Sequence, residues 1–508
     1  MTVDCLPPRW KLQPFERDLA VEEVAVLTGA KAAWQDDRIR VASDVSASVP
    51  RLTERLGLSR AIVTRDGETP TAQALLELAA GGGGRKVTSH ALHGLHPYKG
   101  KFYPQLARAL LNVCDVPLGG RVLDPFAGCG TTILEAALMG VRGVGLDANP
   151  LATLVSETKL RLLSYPVAKL SDQLGRLETL PRYGAAIPDE AYLERWFPPA
   201  NLAYLRRVLA GVDRLDDVVA RDAALVVLSS VMRHASHQDP NQLRVYRRHG
   251  GEIPPLEELF SAAMRAVVRD LEAIQRVEGV AWKRAGQLGS RVIEGDARRL
   301  CRVLRDAQDD QFDAVITSPP YANALPYVDT DRLSLRAFGL LPGGAQRVAE
   351  QRLIGNREVG TRDLRQRERN MRRELVHGNW IPPQLREVLR LTQEVAREET
   401  SGFRKQRTPA LLYSYFRDMR AVLRDVSQLI RPGGPIAIVI GDNEVSGPNG
   451  TTVSVPTADL TAMLGEQVGL RLERDMSKRL TSYGASSTVH QRNAMATERV
   501  LLFRAPGA

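Results

Sequence analysis

The feature that most narrows what this chain can fold into is the stretch Arg121–Asp147. An apolar strand, RVLD, runs into a glycine-rich turn, then a helical pattern (TTILEAALMG), then a second apolar strand, RGVGLD. That order is a β-α-β unit, and its two strands must lie parallel in a sheet covered by helices. Gly128 and Gly130 let the backbone turn tightly and approach a ligand before the helix begins. Three details set the ligand. The acid Asp124 at the strand end would repel phosphates but suits the cationic amine and sulfonium of S-adenosylmethionine. No Walker lysine follows the glycines. Asp147, at the end of the next strand, can accept from ribose hydroxyls, and Asp296 in EGDA from an adenine amine. The plainer reading is a glycine turn that only tightens helix–strand packing, and the three details weigh against it.

At 508 residues the chain suggests two or three compact units. Residues 1–84 read as a small α/β module ending in the flexible run GGGG. After Pro150 a mostly helical insertion occupies 151–289. Strand patterns return at RVIEGDA and FDAVITSPPY, and again at PIAIVIGD, GLRLERD and ERVLLFR. Between them lies an arginine-rich insertion, 326–407. Removing both insertions leaves 85–150, 290–325 and 408–508 as one doubly wound, Rossmann-like α/β domain. No apolar run approaches the ~20 residues that span a bilayer. The N-terminus lacks the pattern of a signal peptide, and four cysteines without a CxxC fit a reducing cytoplasm. The formal charge of +10, from 69 basic and 59 acidic residues, admits a polyanionic partner equally with none.

The second signal is SPPY, Ser318, Pro319, Pro320 and Tyr321, closing the strand FDAVIT. Two prolines fix the backbone and remove two donors at the sheet edge where α/β folds bind ligands. An exocyclic amine on a base is a poor nucleophile because its lone pair is delocalised into the ring. Ser318 Oγ and the Pro319 carbonyl can hold its two N–H groups and favour a pyramidal nitrogen, which then attacks the sulfonium methyl directly. Tyr321 offers an aromatic face to a base flipped from the duplex.

Together these segments resemble the amino-methyltransferases of DNA, the N4-cytosine and N6-adenine family. DPFAGCGTT looks like that family's cofactor loop, which carries over to Asp124, Pro125, Phe126, Gly128, Gly130, Thr131 and Thr132. GLDANP looks like its ribose-binding motif (Asp147, Asn149), and EGDA like its adenine contact (Asp296, Ala297). HPYKGKFYPQL is similar to the element packed on the methionine end of the cofactor, implying Lys99, Phe102 and Pro104. A leading serine in the tetrapeptide implies N4 of cytosine in double-stranded DNA, with N6 of adenine as the alternative. The family also implies a restriction–modification or DNA-protection role, beside a cognate restriction endonuclease. In two respects the chain departs. The gap Leu151–Gly289 is unusually long, and the 1–80 module looks like those preceding some tRNA guanine-N2 methyltransferases. Those enzymes, and an inactive DNA-binding subunit, are the other readings weighed.

C5-cytosine methylation is set aside because no Pro-Cys dipeptide exists. His90, His93 and His96 invite a metal, but with no acid or cysteine nearby in sequence they read as loop or substrate-facing histidines, and no metal is expected. Two segments compete for DNA contact. One loop holds Arg244, Arg247 and Arg248; the second insertion holds nine arginines against four acids between Gly344 and Arg373, Arg365, Arg369 and Arg372 among them.

Overall fold

The computed structural model describes residues 3–82, 84–98, 100–242, 246–277, 286–307, 309, 311–322, 327–341, 346–397, 403–446, 451–479 and 497–507. They form two compact units. One is built from Met1–Asn241, Val245–Glu294 and Asp331–Gly344, the other from Gln242–Arg244, Gly295–Thr330 and Ala345–Ala508.

The first unit opens with short strands β1 (Asp4–Leu6), β2 (Ala32–Gln35), β3 (Arg38–Val41), β4 (Ala61–Thr64) and β5 (Gly67–Pro70), in the antiparallel order β2-β3-β1-β4-β5. Helices α1 (Pro14–Thr28), α2 (Val49–Arg55) and α3 (Ala72–Ala79) accompany them. Helix α1 starts where Gln13 and Glu16 satisfy each other's backbone N–H groups and Pro14 presets the first turn. It ends at Gly29, whose φ of 66° an L side chain would resist. Glu23 of α1 is fully buried, accepting from the backbone of Gly57 and Leu58 and from the amide of Asn112. Burial pushes its carboxyl up to about 7. Asn112 belongs to α4 (Pro104–Val113), every residue of which is buried, so this acid ties the module to the helix that precedes the glycine loop.

Strand β6 (Arg121–Asp124), helix α5 (Thr131–Leu138) and strand β7 (Arg142–Asp147) are the predicted β-α-β unit. Gly143 and Gly145 explain how closely α5 lies on β7. A Cβ at Gly143 would sit 2.7 Å from Ile133, and one at Gly145 2.7 Å from Ala127. The long insertion folds as helices α6 (Pro150–Leu163), α7 (Val167–Gly175), α8 (Pro199–Val212), α9 (Val218–Met232) and α10 (Leu256–Arg276). The chain then returns as β8 (Arg291–Glu294), parallel to β7, with Val144 opposite Arg291. The insertion therefore lengthens the crossover without displacing the strand.

The second unit holds α11 (Leu300–Asp306), β9 (Ala314–Thr317), α12 (Thr361–His377), α13 (Pro383–Arg397), α14 (Phe403–Leu429) and β10 (Pro435–Gly441). A hairpin β11 (Asn443–Ser446) and β12 (Thr452–Val455), helix α15 (Thr457–Gln467), and strands β13 (Arg471–Arg479) and β14 (Thr497–Arg504) complete it. Strand β10 runs parallel to β9 and antiparallel to β14, which pairs antiparallel with β13. Both β9 and β10 are buried along their length, as apolar runs covered on two faces must be. This is the Rossmann-like α/β class read from the sequence, with antiparallel strands that make the sheet mixed. Among the described residues no helix is long and apolar enough to cross a membrane.

One expectation needs correcting. His90, His93 and His96 do lie in an irregular segment, but all three are buried. Glu135 of α5, distant in sequence, meets His90 and His93: His93 Nε2 donates to it at 2.8 Å, and Arg108 of α4 pairs with its other oxygen at 2.7 Å, whereas His96 bonds to Ser229. Burial alone would raise the Glu135 pKa, but Arg108, His90 and His93 hold it well below the usual range. Atoms of His90, His93 and Glu135 approach within 4.8 Å, a spacing that suits a metal, yet the carboxylate charge is already matched by Arg108. Breaking that pair strands a buried charge. Arg108→Met should lose about 3–5 kcal/mol of unfolding free energy in urea titrations. Arg108→Met/Glu135→Leu should recover most of the loss; strictly additive losses would contradict the pairing.

Candidate active site

In the first unit the site is made by the ends of β6 and β7 and the loop between β6 and α5. Asp124 is 1% exposed, and its Oδ1 accepts from the Phe126 backbone at 3.0 Å, which closes the turn at Pro125. Gly128 and Gly130 have φ of 50° and 78°, the left-handed region in which glycine costs least. A Cβ on Gly128 would touch the Tyr98 ring at 3.0 Å, and one on Gly130 the Ser156 side chain at 3.0 Å. The loop is thus a cradle only glycine fits.

Helix α6 holds the cradle from beneath. Ser156 Oγ donates to the Gly128 carbonyl at 2.8 Å, and Lys159 Nζ, wholly buried, donates to the Cys129 carbonyl at 2.9 Å. Burial pulls the Lys159 pKa below the usual lysine range. Above it, Asp147 Oδ2 accepts from the Gly128 N–H and Oδ1 from the Asn149 N–H, both at 2.8 Å. Each oxygen keeps a lone pair for a ribose hydroxyl. Asn149 caps α6 by accepting from the Leu151 N–H, with Pro150 in the first turn, and its amide donates to Asp331 at 2.9 Å. Asp331 is a fourth acid that sequence reasoning missed. It follows the tetrapeptide by ten positions with no motif to mark it.

Thr131 and Thr132 are buried at the start of α5. Phe102 is buried, and Pro104 opens α4. Lys99 lies outside the described residues. The donor set fits S-adenosylmethionine: carboxylates at two strand ends for a cationic nucleoside, and a glycine cradle between them.

In the second unit, Asp296 caps the short turn Ala297–Arg299 through the Arg298 N–H and takes the Arg298 guanidinium on both oxygens at 2.6–3.1 Å. Arg298 also reaches Asp418 and the Gln351 carbonyl. The acid expected to meet an adenine amine is therefore already oriented by an arginine two residues on. Ala297 is buried beside it.

SPPY follows β9. Tyr415 of α14 donates to the Pro320 carbonyl at 2.8 Å, and Tyr321 Oη donates to Glu498 of β14 at 2.7 Å. Ser318 is half-buried and has no hydrogen bond to a described residue. Two remote anchors, from α14 and β14, hold the tetrapeptide while leaving its serine hydroxyl unengaged. Neither anchor was legible locally.

The arginine expectations divide. Arg244 lies outside the described residues. Arg247 donates to the Arg195 carbonyl, and Arg248 to those of His234, Gln238 and Glu252, so both guanidinium groups tie their own loop down. Arg365, Arg369 and Arg372 are exposed along one side of α12, whose Leu364 and Met371 are buried.

A family model described as "RMKL-like, methyltransferase domain" matches 96–161, the stretch carrying the loop and Asp147. The type II methyltransferase M.AvaI of a Nostoc species is 23% identical over 430 residues, covering 77% of this chain and 82% of that enzyme. A tRNA (guanine(10)-N2)-dimethyltransferase of Methanothermobacter thermautotrophicus is 35% identical over 99 residues, 17% of this chain and 29% of that enzyme. Among solved structures, TrmN from Thermus thermophilus aligns over 99% of both chains at 13% identity, with a TM-score of 0.32. The methyltransferase-domain match over 96–161 and the donor set of the loop together give S-adenosylmethionine as the cofactor. Over most of its length the chain is similar to type II DNA methyltransferases such as M.AvaI.

The two acids of the ribose end should be visible in pH dependence. Burial raises both Asp147 and Asp331 to about 6, from a usual 3.8. In the fold they hold protons that the unfolded chain releases, so cofactor-free stability should fall as pH rises from about 4 to about 6 and level off above. Asp331→Asn should flatten that slope in thermal melts taken across the window; an unchanged slope would remove Asp331 from the pair.

Proposed function

We propose that this enzyme transfers a methyl group to N4 of cytosine in double-stranded DNA. The observation that carries the reading is the tetrapeptide: Ser318 unengaged, with Pro320 and Tyr321 pinned by Tyr415 and Glu498. When bound, S-adenosylmethionine supplies an electrophilic methyl on a sulfonium. Ser318 Oγ and the Pro319 carbonyl accept the two N–H groups of the target amine and draw its lone pair out of the ring. Held this way the nitrogen would face the sulfonium methyl in line, with the neutral thioether of S-adenosylhomocysteine as leaving group and the surplus proton passing to solvent. Tyr321, tethered through its hydroxyl, keeps its ring in one place for a flipped base to stack on.

Serine at the head of the tetrapeptide supports cytosine over adenine. DNA is supported over tRNA by the extent of the likeness, since the match to M.AvaI spans 77% of the chain and that to the tRNA enzyme 17%. Retention of Asp124, Asp147, Asp296 and Ser318 speaks against an inactive subunit. In this role the enzyme is the modification half of a restriction–modification or DNA-protection system in the cytoplasm, with a cognate endonuclease as partner.

Incubation with labelled cofactor and plasmid DNA or bulk tRNA, followed by nucleoside mass spectrometry, tests the assignment. N4-methylcytosine is expected; N6-methyladenine would move the target, and methylguanine in tRNA would overturn the DNA reading. Ser318→Ala should lower turnover and leave cofactor affinity intact, because the serine meets only the target amine.

The α12 arginines supply the DNA contact in this reading. Charge reversal at Arg365, Arg369 and Arg372 together should raise the DNA dissociation constant and flatten its salt dependence while cofactor binding holds. An unchanged salt slope would assign that face to solvent.

A further inference from the structure

Asn149 joins the ribose-end acid to α6, and it is completely buried, so each end of its amide must be met inside the fold. Its backbone N–H donates to Asp147 Oδ1 at 2.8 Å, and its side-chain oxygen accepts from the Leu151 N–H at 3.1 Å. Its amide nitrogen donates to Asp331 Oδ2 at 2.9 Å, across 182 positions of chain, and meets no other acceptor among the described residues. Asp331 does not behave as an aspartate at a helix start ordinarily does. It precedes the short helix Arg332–Ala337, where the side chain would be expected to turn back onto the first N–H groups, yet it makes no such bond. The carboxylate is spent across the fold instead. The helix behind it is anchored: Leu333 and Ser334 are buried, and Ser229 of α9 donates to Ser334 Oγ at 2.8 Å. The Arg233 guanidinium, at the end of α9, favours the ionised form of the acid.

We propose that Asp331 is a positioning residue for S-adenosylmethionine, acting through Asn149 on Asp147. An ionised carboxylate only accepts hydrogen bonds, so it dictates which end of the Asn149 amide faces it. With the nitrogen toward Asp331, the oxygen is left toward Leu151 and α6 keeps its cap. Turned round, the amide would set two acceptors against each other at Asp331 and two donors at Leu151. Held one way, Asn149 keeps its backbone N–H aimed at Asp147, and that carboxylate keeps the orientation in which it can receive a ribose hydroxyl. This role does not require Asp331 to touch the cofactor. It rests on Asp147 being a cofactor-binding acid, which Asp147→Ala tests by itself.

Calorimetric titration of S-adenosylmethionine into the full chain tests the route, with thermal melts establishing that each variant is folded at the titration temperature. Asp331→Ala should weaken binding by about fivefold to tenfold, the scale of one hydrogen bond lost at one remove. Asp331→Asn keeps an acceptor of the same shape and should recover most of that loss. Asn149→Ser keeps a cap for α6 but has no amide nitrogen, and it should weaken binding to a similar degree. Adding Asp331→Ala to Asn149→Ser should then cost nothing further, because both changes remove the same bond. Additive losses in that double variant would overturn the proposal, since they would mean direct contact with the cofactor or a general loss of packing. Unchanged affinity in Asp331→Ala, or a loss that Asp331→Asn leaves in place, would overturn it equally. If Asp147→Ala binds as tightly as the wild type, the premise falls and the proposal with it. A loss in Asp147→Ala with none in Asp331→Ala overturns the proposal alone.

Discussion

The cofactor end of the structure depends on one carboxylate. Asp147 gathers the N–H of Gly128 from the loop and the N–H of Asn149 from the start of α6, both at 2.8 Å. Those bonds join two segments that would otherwise move separately. The glycines that let the loop approach are also its weakness, since left-handed backbone is freely lost in the unfolded chain. Ser156 and Lys159 below and Asp147 above answer that weakness with three side-chain bonds to main-chain groups. Holding the acid there has a cost: burial raises its pKa to about 6, so it is ionised at neutral pH only because the N–H groups offset much of the desolvation.

A similar logic governs the tetrapeptide in the second unit. Prolines restrict its backbone from within, and Tyr415 and Glu498 hold it from elements almost a hundred and almost two hundred positions further along the chain. The serine hydroxyl has no hydrogen bond to a described residue, which leaves it available to the target amine in the proposed reaction. Rigid surroundings around one adjustable acceptor suit a reaction that has no covalent enzyme intermediate and depends on orientation.

The parts legible in the sequence were those that constrain the backbone locally. Strand ends, glycine turns, prolines and caps announce themselves within a few residues, so β6, α5, β7 and the SPPY turn were all placed from pattern. What pattern did not show were side-chain pairs made by tertiary packing. Glu135 meets His93 and Arg108 only because α4, α5 and the 90–96 segment come together. Arg298 claims Asp296, Asp331 joins Asn149, and Arg247 and Arg248 spend their charge on nearby carbonyls. Composition counts such arginines as available to a polyanion; geometry shows which are already engaged. The length of the insertion after β7 was also misleading, because β8 returns to the same neighbour however far the chain travels.

The most direct test is calorimetric titration of S-adenosylmethionine into the wild-type chain and into Asp147→Ala at pH 7.5. The wild type should bind one equivalent, and the variant should bind more weakly by about 1.5–3 kcal/mol, the scale of a hydrogen bond to a charged group. Equal affinity in the two proteins, or none in the wild type, would contradict the role given to Asp147.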